Sequence, residues 1–209
     1  LSGQSAIGSR QDEAQAAYDV VLSGWVIQGP KVQEFEEKFA SYVNGKFAVA
    51  VSSCTAALHL AMIVAEIREG DEVICPSMSF IATANSIRHA GAKPVFAEVG
   101  NDYNLDANHV QSLITSKTKA VLLVHQIGMP ADIDTFKEIC EKHNLLLIED
   151  AAQAHGACDA TGQRAGSFGD VAAFSFYPGK NLGALGDAGA VVTSNTQLCE
   201  QIKMLRNYG

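Results

Sequence analysis

The chain has 209 residues, enough for one domain with a substantial core. Its 47% hydrophobic and 18% charged content describes a soluble globular protein, and no apolar run reaches the ~18–20 residues of a membrane span. The net charge of −8, from 15 Lys+Arg against 23 Asp+Glu, argues against nucleic acid as a main partner, because phosphate backbones recruit basic surfaces.

The chain opens LSGQSAIGSR, without the basic and apolar pattern of a secretory signal. The five cysteines are scattered and odd in number, with no C-x-x-C, so neither a disulfide framework nor a zinc site is expected and a reducing cytoplasm is. The six histidines form no H-x-x-x-H pair, and no metal is expected.

A polar arm (1–30) leads into PKVQEFEEKFASYV (30–43), an amphipathic helix. Apolar runs and helical patterns then alternate. FAVAVS (47–52) reads as a strand and TAALHLAMIVAEI (55–67) as a helix; DEVICP (71–76) is a strand and FIATANSIRHA (80–90) a helix. KPVFAEV (93–99), KAVLLVH (119–125) and NLLLIED (144–150) read as strands, with helices at DANHVQSLI (106–114) and DIDTFKEICEKH (132–143), the latter stopped by Asn144. The strands are apolar throughout rather than alternating, so both faces of a mostly parallel sheet must be covered: an α/β fold of three layers, α/β/α. VAAFSF (171–176) and GAVVTS (189–194) are too close for a helical crossover, so one of them runs antiparallel. A last helix covers 195–209.

Ligands in such sheets bind beyond the carboxyl ends of the strands. Four features collect there: SSCTAAL (52–58), PSMSF (76–80), Asp150, and Ser175 with Lys180. SSCTAAL puts small hydroxylated residues at a strand-to-helix junction, which suits a phosphate and equally suits ordinary capping by Ser53 or Thr55. Cys54 reads as a small filler rather than a reactive thiol. Asp150 ends an apolar strand and needs a cationic or N–H partner; Glu149 points to the opposite side, so the two are not a catalytic dyad. His155 reads as a structural histidine. GALGDAG (183–189) is similar to a dinucleotide loop but has the wrong glycine spacing and precedes a strand. Lys180 is either an exposed turn lysine or a nucleophile whose pKa is lowered by apolar, glycine-rich surroundings.

Five blocks carry a resemblance to a known family: SGWVIQGPKVQEFEEKFA (23–40), SSCTAALHLAM (52–62), GDEVICPSMSFIATANSI (70–87), LIEDAAQAHGA (147–157) and GSFGDVAAFSFYPGKNLGALGDAGAVVT (166–193). They resemble the DegT/StrS sugar aminotransferases, enzymes of pyridoxal 5′-phosphate (PLP) with the aspartate-aminotransferase type of fold. The resemblance implies a PLP-binding large domain over 31–209 behind an N-terminal arm, 1–30, with the family's smaller C-terminal domain absent from this chain. Lys180 matches the lysine that binds PLP covalently and shuttles the proton. Asp150 matches the carboxylate at the pyridine nitrogen, Gln153 the residue near the 3-oxygen, and Phe80 the aromatic stacked on the ring. Thr55, Ala56 and Ser175 match phosphate-binding positions. Some related members carry histidine at the lysine position and act as dehydratases, so Lys180 points to transamination.

The implied function is transfer of an amino group, from glutamate, to a keto-sugar nucleotide, in amino-sugar, polysaccharide or natural-product biosynthesis. The implied partner is a second copy, because family dimers build each site from both subunits. Two other readings stay open: a catalytically silent fragment of this family, and a PLP enzyme acting on an aminocyclitol or non-sugar ketone.

Overall fold

The computed structural model describes residues 10–208. Its helices are α1 (Arg10–Ser23), α2 (Pro30–Tyr42), α3 (Cys54–Val64), α4 (Ile81–His89), α5 (Ala107–Leu113), α6 (Ile133–His143) and α7 (Thr196–Leu205). Its strands are β1 (Phe47–Val51), β2 (Glu72–Pro76), β3 (Lys93–Ala97), β4 (Thr118–Val124), β5 (Leu146–Asp150), β6 (Val171–Ser175) and β7 (Gly189–Thr193).

The strands form one sheet in the order β1-β7-β6-β5-β4-β2-β3. All ladders are parallel except those of β7, which runs antiparallel to both β1 and β6. The expected mixed, mostly parallel sheet is therefore present, and β7 is the reversed strand.

Alternation along each strand divides the core in two. Val121, Leu123 and Leu147 face one side, where Phe39 of α2, Val110 of α5 and Phe136 of α6 cover them. Ala120, Leu122 and Ile148 face the other, beneath Leu58 of α3, Ile87 of α4 and Ile202 of α7. Because both sides are apolar, the strands show no alternation in sequence, and three layers result.

The helix boundaries follow local chemistry. Asp106, Asp132 and Asn195 cap α5, α6 and α7 by accepting from backbone N–H groups. Asn144 stops α6 in the left-handed conformation, φ 52°, and β5 starts two residues later than the apolar run suggests. Helix α3 ends at Val64 rather than at 67, because Glu66 turns the chain with φ 56°.

The N-terminal arm departs from expectation, since it contains α1. Its sequence, RQDEAQAAYDVVLS, is rich in helix formers but has no buried stripe, so propensity rather than periodicity marks it. At the other end, Glu36 of α2 accepts from Ala50 N at 2.8 Å and pairs with Arg206, tying α2, β1 and the end of α7 together. No helix among the described residues is long and apolar enough to cross a membrane.

Candidate active site

The carboxyl ends of β1, β2, β4, β5 and β6 and the start of β7 lie along one edge of the sheet. A cavity of ≈ 460 Å³ opens there, lined by Thr55, Phe80, Asp150, Gln153, Ser175 and Lys180 among others. Six of the seven residues matched through the resemblance thus share one cavity. The seventh, Ala56, lines a neighbouring recess with Gln28 and His59. Its N–H is already taken by Ser53 Oγ at 3.1 Å, the cap of α3.

That cap leaves something for a ligand. The first N–H groups of a helix have no partner within it. Ser53 satisfies the amides of Ala56 and Ala57, and those of Cys54 and Thr55 are left over at the cavity wall. With the helix dipole they make a terminus suited to an anion. Gly189 lets this terminus sit against β7, because a Cβ there would lie 2.4 Å from the Ser53 carbonyl carbon. Ser175, at the end of β6, accepts from Tyr177 N at 3.3 Å and keeps its own proton to donate.

Asp150 is 5% exposed. Oδ2 accepts from Thr83 Oγ1 at 2.8 Å, and Oδ1 from Ala152 N at 3.2 Å. Burial pushes its pKa up, against the pull of the Thr83 and Ala152 hydrogen bonds and the Lys180 charge. A carboxylate has about four acceptor sites; this one uses two on the protein and faces a cavity with the rest.

Lys180 is reached through the turn after β6, where its N–H donates to Tyr177 O at 2.8 Å. Asp150, expected at the same edge, and Asp187 line the cavity with it, among apolar residues that include Leu58, Ala82 and Val124. Lys180 and Gln153 also border a second, more polar recess with Asn181 and His155. Phe80 stands at the mouth, 77% exposed. Cys54 is held as a thiol, its pKa pushed well up by burial and then by the Asp150 charge, which fits a filler rather than a nucleophile.

His155 lies between Phe174 and Phe176, at 5.4 and 5.5 Å between centroids. Neither ring nitrogen has a hydrogen-bond partner among the described residues. Burial pushes its pKa down, opposed by the Ser175 main chain, which lies outside hydrogen-bond geometry. It is a packed neutral ring, not the hydrogen-bonded structural histidine expected.

Sequence reasoning passed over Thr83, Ser79, His125 and Gln126. Gln126 closes one wall by donating from Nε2 to Met78 O at 2.8 Å. No local pattern marks Thr83, His125 and Gln126, which act on parts of the chain distant in sequence, while Ser79 acts on Thr83 four residues on.

The site suits the cofactor that the resemblance implies. A buried carboxylate with open acceptor capacity, an amine, a free helix terminus and an unstacked aromatic ring border one space. Comparison with known proteins agrees. The chain is 48% identical over 211 residues to dTDP-3-amino-3,4,6-trideoxy-alpha-D-glucose transaminase of Streptomyces venezuelae, covering 100% of this chain and 55% of that protein. Among solved structures, S. venezuelae DesV in complex with a ketimine intermediate superposes with a TM-score of 0.92 at 46% identity, over 96% of this chain and 54% of that one. A 3-amino-5-hydroxybenzoic acid synthase superposes with a TM-score of 0.87 at 33% identity, over 94% and 51% respectively. The chain spans about half the length of the curated relatives it matches. The model of the DegT/DnrJ/EryC1/StrS aminotransferase family matches residues 8–209, and with this site and these relatives the chain belongs to that family.

Proposed function

We propose that this chain carries the PLP-binding large domain, over 31–209, of an aminotransferase that moves an amino group from glutamate to a keto-sugar nucleotide. The observation that supports it best is the single cavity shared by Lys180, Asp150, Ser175 and the free terminus of α3. The relative from S. venezuelae is named for such an amino sugar.

Each residue has a physical task. The amides of Cys54 and Thr55, with the Thr55 and Ser175 hydroxyls, hold a phosphate. Asp150 would favour positive charge on the ring, and Phe80 would cover it, worth roughly 0.5–1.5 kcal/mol beyond buried area. Gln153 offers its amide to the 3-oxygen. Lys180 Nζ would hold the cofactor and would take up and return the proton at the substrate carbon. Bound there, PLP supplies the electron sink for amino exchange.

A second copy is the proposed partner. Tyr18, Val21, Leu22, Trp25, Val26 and Ile27 expose a run of apolar side chains along the arm, an area that a dimer would cover. A dimer by light scattering is expected, and loss of dimer in Trp25→Ala with Ile27→Ala.

The test is reconstitution with PLP. The wild-type chain is expected to show the visible absorbance of a lysine-linked cofactor, and Lys180→Ala to lose it. An unchanged band in Lys180→Ala overturns the role of Lys180; no band in the wild type overturns cofactor binding by this chain. Loss of the band on adding glutamate then supports the donor, whereas its persistence favours a silent fragment. The hydroxybenzoic acid synthase favours a second reading, a non-sugar ketone as acceptor. Supplying keto-sugar nucleotides and cyclic ketones to the aminated form separates the two.

A further inference from the structure

Asp150 is held by one hydroxyl, itself hydrogen-bonded to a second, from a different part of the chain. Thr83, on α4 and 1% exposed, donates from Oγ1 to Asp150 Oδ2 at 2.8 Å, across 67 residues of sequence. Ser79 Oγ lies 2.8 Å from Thr83 Oγ1. The direction of this second bond follows from the first. An ionised carboxylate only accepts, so the single Thr83 proton goes to Asp150. Thr83 Oγ1 is left as an acceptor, and Ser79 must be the donor. The backbone fixes the pair in place: Thr83 N donates to Phe80 O at 3.1 Å, and Thr83 O accepts from Ser86 Oγ at 2.8 Å. Ser79 borders the cavity, while Thr83 stands behind it.

We propose that Thr83 is a positioning residue for Asp150, oriented by Ser79, and that the two hydroxyls together keep the buried carboxylate charged while leaving its other acceptor sites for the cavity. The remaining groups that face Asp150 cannot replace them. Ala152 N is a longer, weaker donor at 3.2 Å. Lys180 adds charge without a hydrogen bond among the described residues, and His125 is turned away to Glu149, with Nε2 at 2.8 Å from Glu149 Oε2. Cys54, on α3, is a thiol and supplies no charge. Glu149 points to the opposite side of the strand. Burial works against ionisation, and Thr83 is the largest influence opposing it.

The inference rests on the reading of Asp150 as partner of the cofactor ring, and its test is separable from that reading. The cofactor-free chain is labelled with 13C-carboxyl aspartate, and the Asp150 signal is assigned by its loss in Asp150→Asn. Thr83→Val keeps the side-chain shape and removes the hydroxyl. Its Asp150 titration midpoint is expected to rise by about one unit, a tenfold change in ionisation constant. Thr83→Ser is expected to restore the wild-type midpoint, and Ser79→Ala to raise it by about threefold in the constant. A Thr83→Val midpoint equal to wild type, or no restoration by Thr83→Ser, overturns the proposal. Should Thr83→Val not fold, Ser79→Ala carries the test, and a wild-type midpoint there overturns it. The absorbance of PLP-reconstituted wild type reports independently on the cofactor reading.

Discussion

Two adjacent carboxylates on β5 sit in opposite kinds of environment. Glu149 is fully buried on the side of α2, α5 and α6. It accepts from Gly166 N at 2.7 Å, Phe168 N at 2.8 Å, Gly169 N at 2.6 Å and His125 Nε2 at 2.8 Å. His125 Nδ1 accepts from Ala131 N at 3.1 Å, which leaves Nε2 as the nitrogen that donates to Glu149. Asp150, one residue on, has two protein donors and a cavity. A carboxylate with every acceptor site filled organises the fold: Glu149 pins the loop 166–169 against the sheet. A carboxylate left short of partners, at a cavity wall, is available for chemistry.

This contrast can be broken from either side. Glu149→Ala leaves two buried N–H groups, the half-buried Gly169 N–H and His125 without a partner. It is expected to cost about 3–5 kcal/mol in denaturant unfolding, a large share of a typical domain's stability. A loss below about 1 kcal/mol would show that the loop finds other partners. His125→Phe removes one of the four donors and leaves the Ala131 amide unpaired, at an expected cost of about 1–3 kcal/mol by the same measurement.

Asp150→Asn sharpens the other half. It is expected to abolish amino exchange while leaving the cofactor-free fold at least as stable as wild type. The sign follows from its raised pKa: the folded state binds the Asp150 proton more tightly than the unfolded state does. Wild-type stability then falls as pH rises from the usual carboxylate value through the raised one, and Asp150→Asn removes that fall. Parallel stability–pH curves for the two proteins would contradict this. The smallest effect belongs to a carboxylate with neither burial nor cavity. Glu34 is held at about 2 by hydrogen bonds to Lys31 and Lys38, yet it is exposed. Glu34→Gln is expected to leave the unfolding midpoint unchanged at physiological salt, because solvent and ions screen such pairs.

The same distinction explains what could be read from the amino-acid order. Strands β1 to β7 were legible within one or two residues because runs such as LLIED and VAAF are apolar on both faces. Asp106, Asp132 and Asn195 marked helix starts because capping is local. Helix α1 was missed because it carries no buried stripe among the described residues, so no period marks it. Lys180, Asp150 and Ser175 stood out as polar groups at the ends of apolar strands. Thr83 did not, because a threonine in FIATANSI looks the same whether its hydroxyl meets Asp150 or water.

Local order, then, settled which segments are strands and helices, which residues cap them, and which polar side chains stand at strand ends. Those properties depend on neighbours within a turn or a strand, so they are written in adjacent residues. The tertiary structure alone decided that β7 is the reversed strand and that Glu149 is saturated while Asp150 is not. The reversal of β7 and the donors of the two carboxylates depend on hydrogen bonds between segments far apart in the chain, whereas the Ser53 cap is local. The number of donors that reach a buried carboxylate is fixed only when the sheet brings them to it.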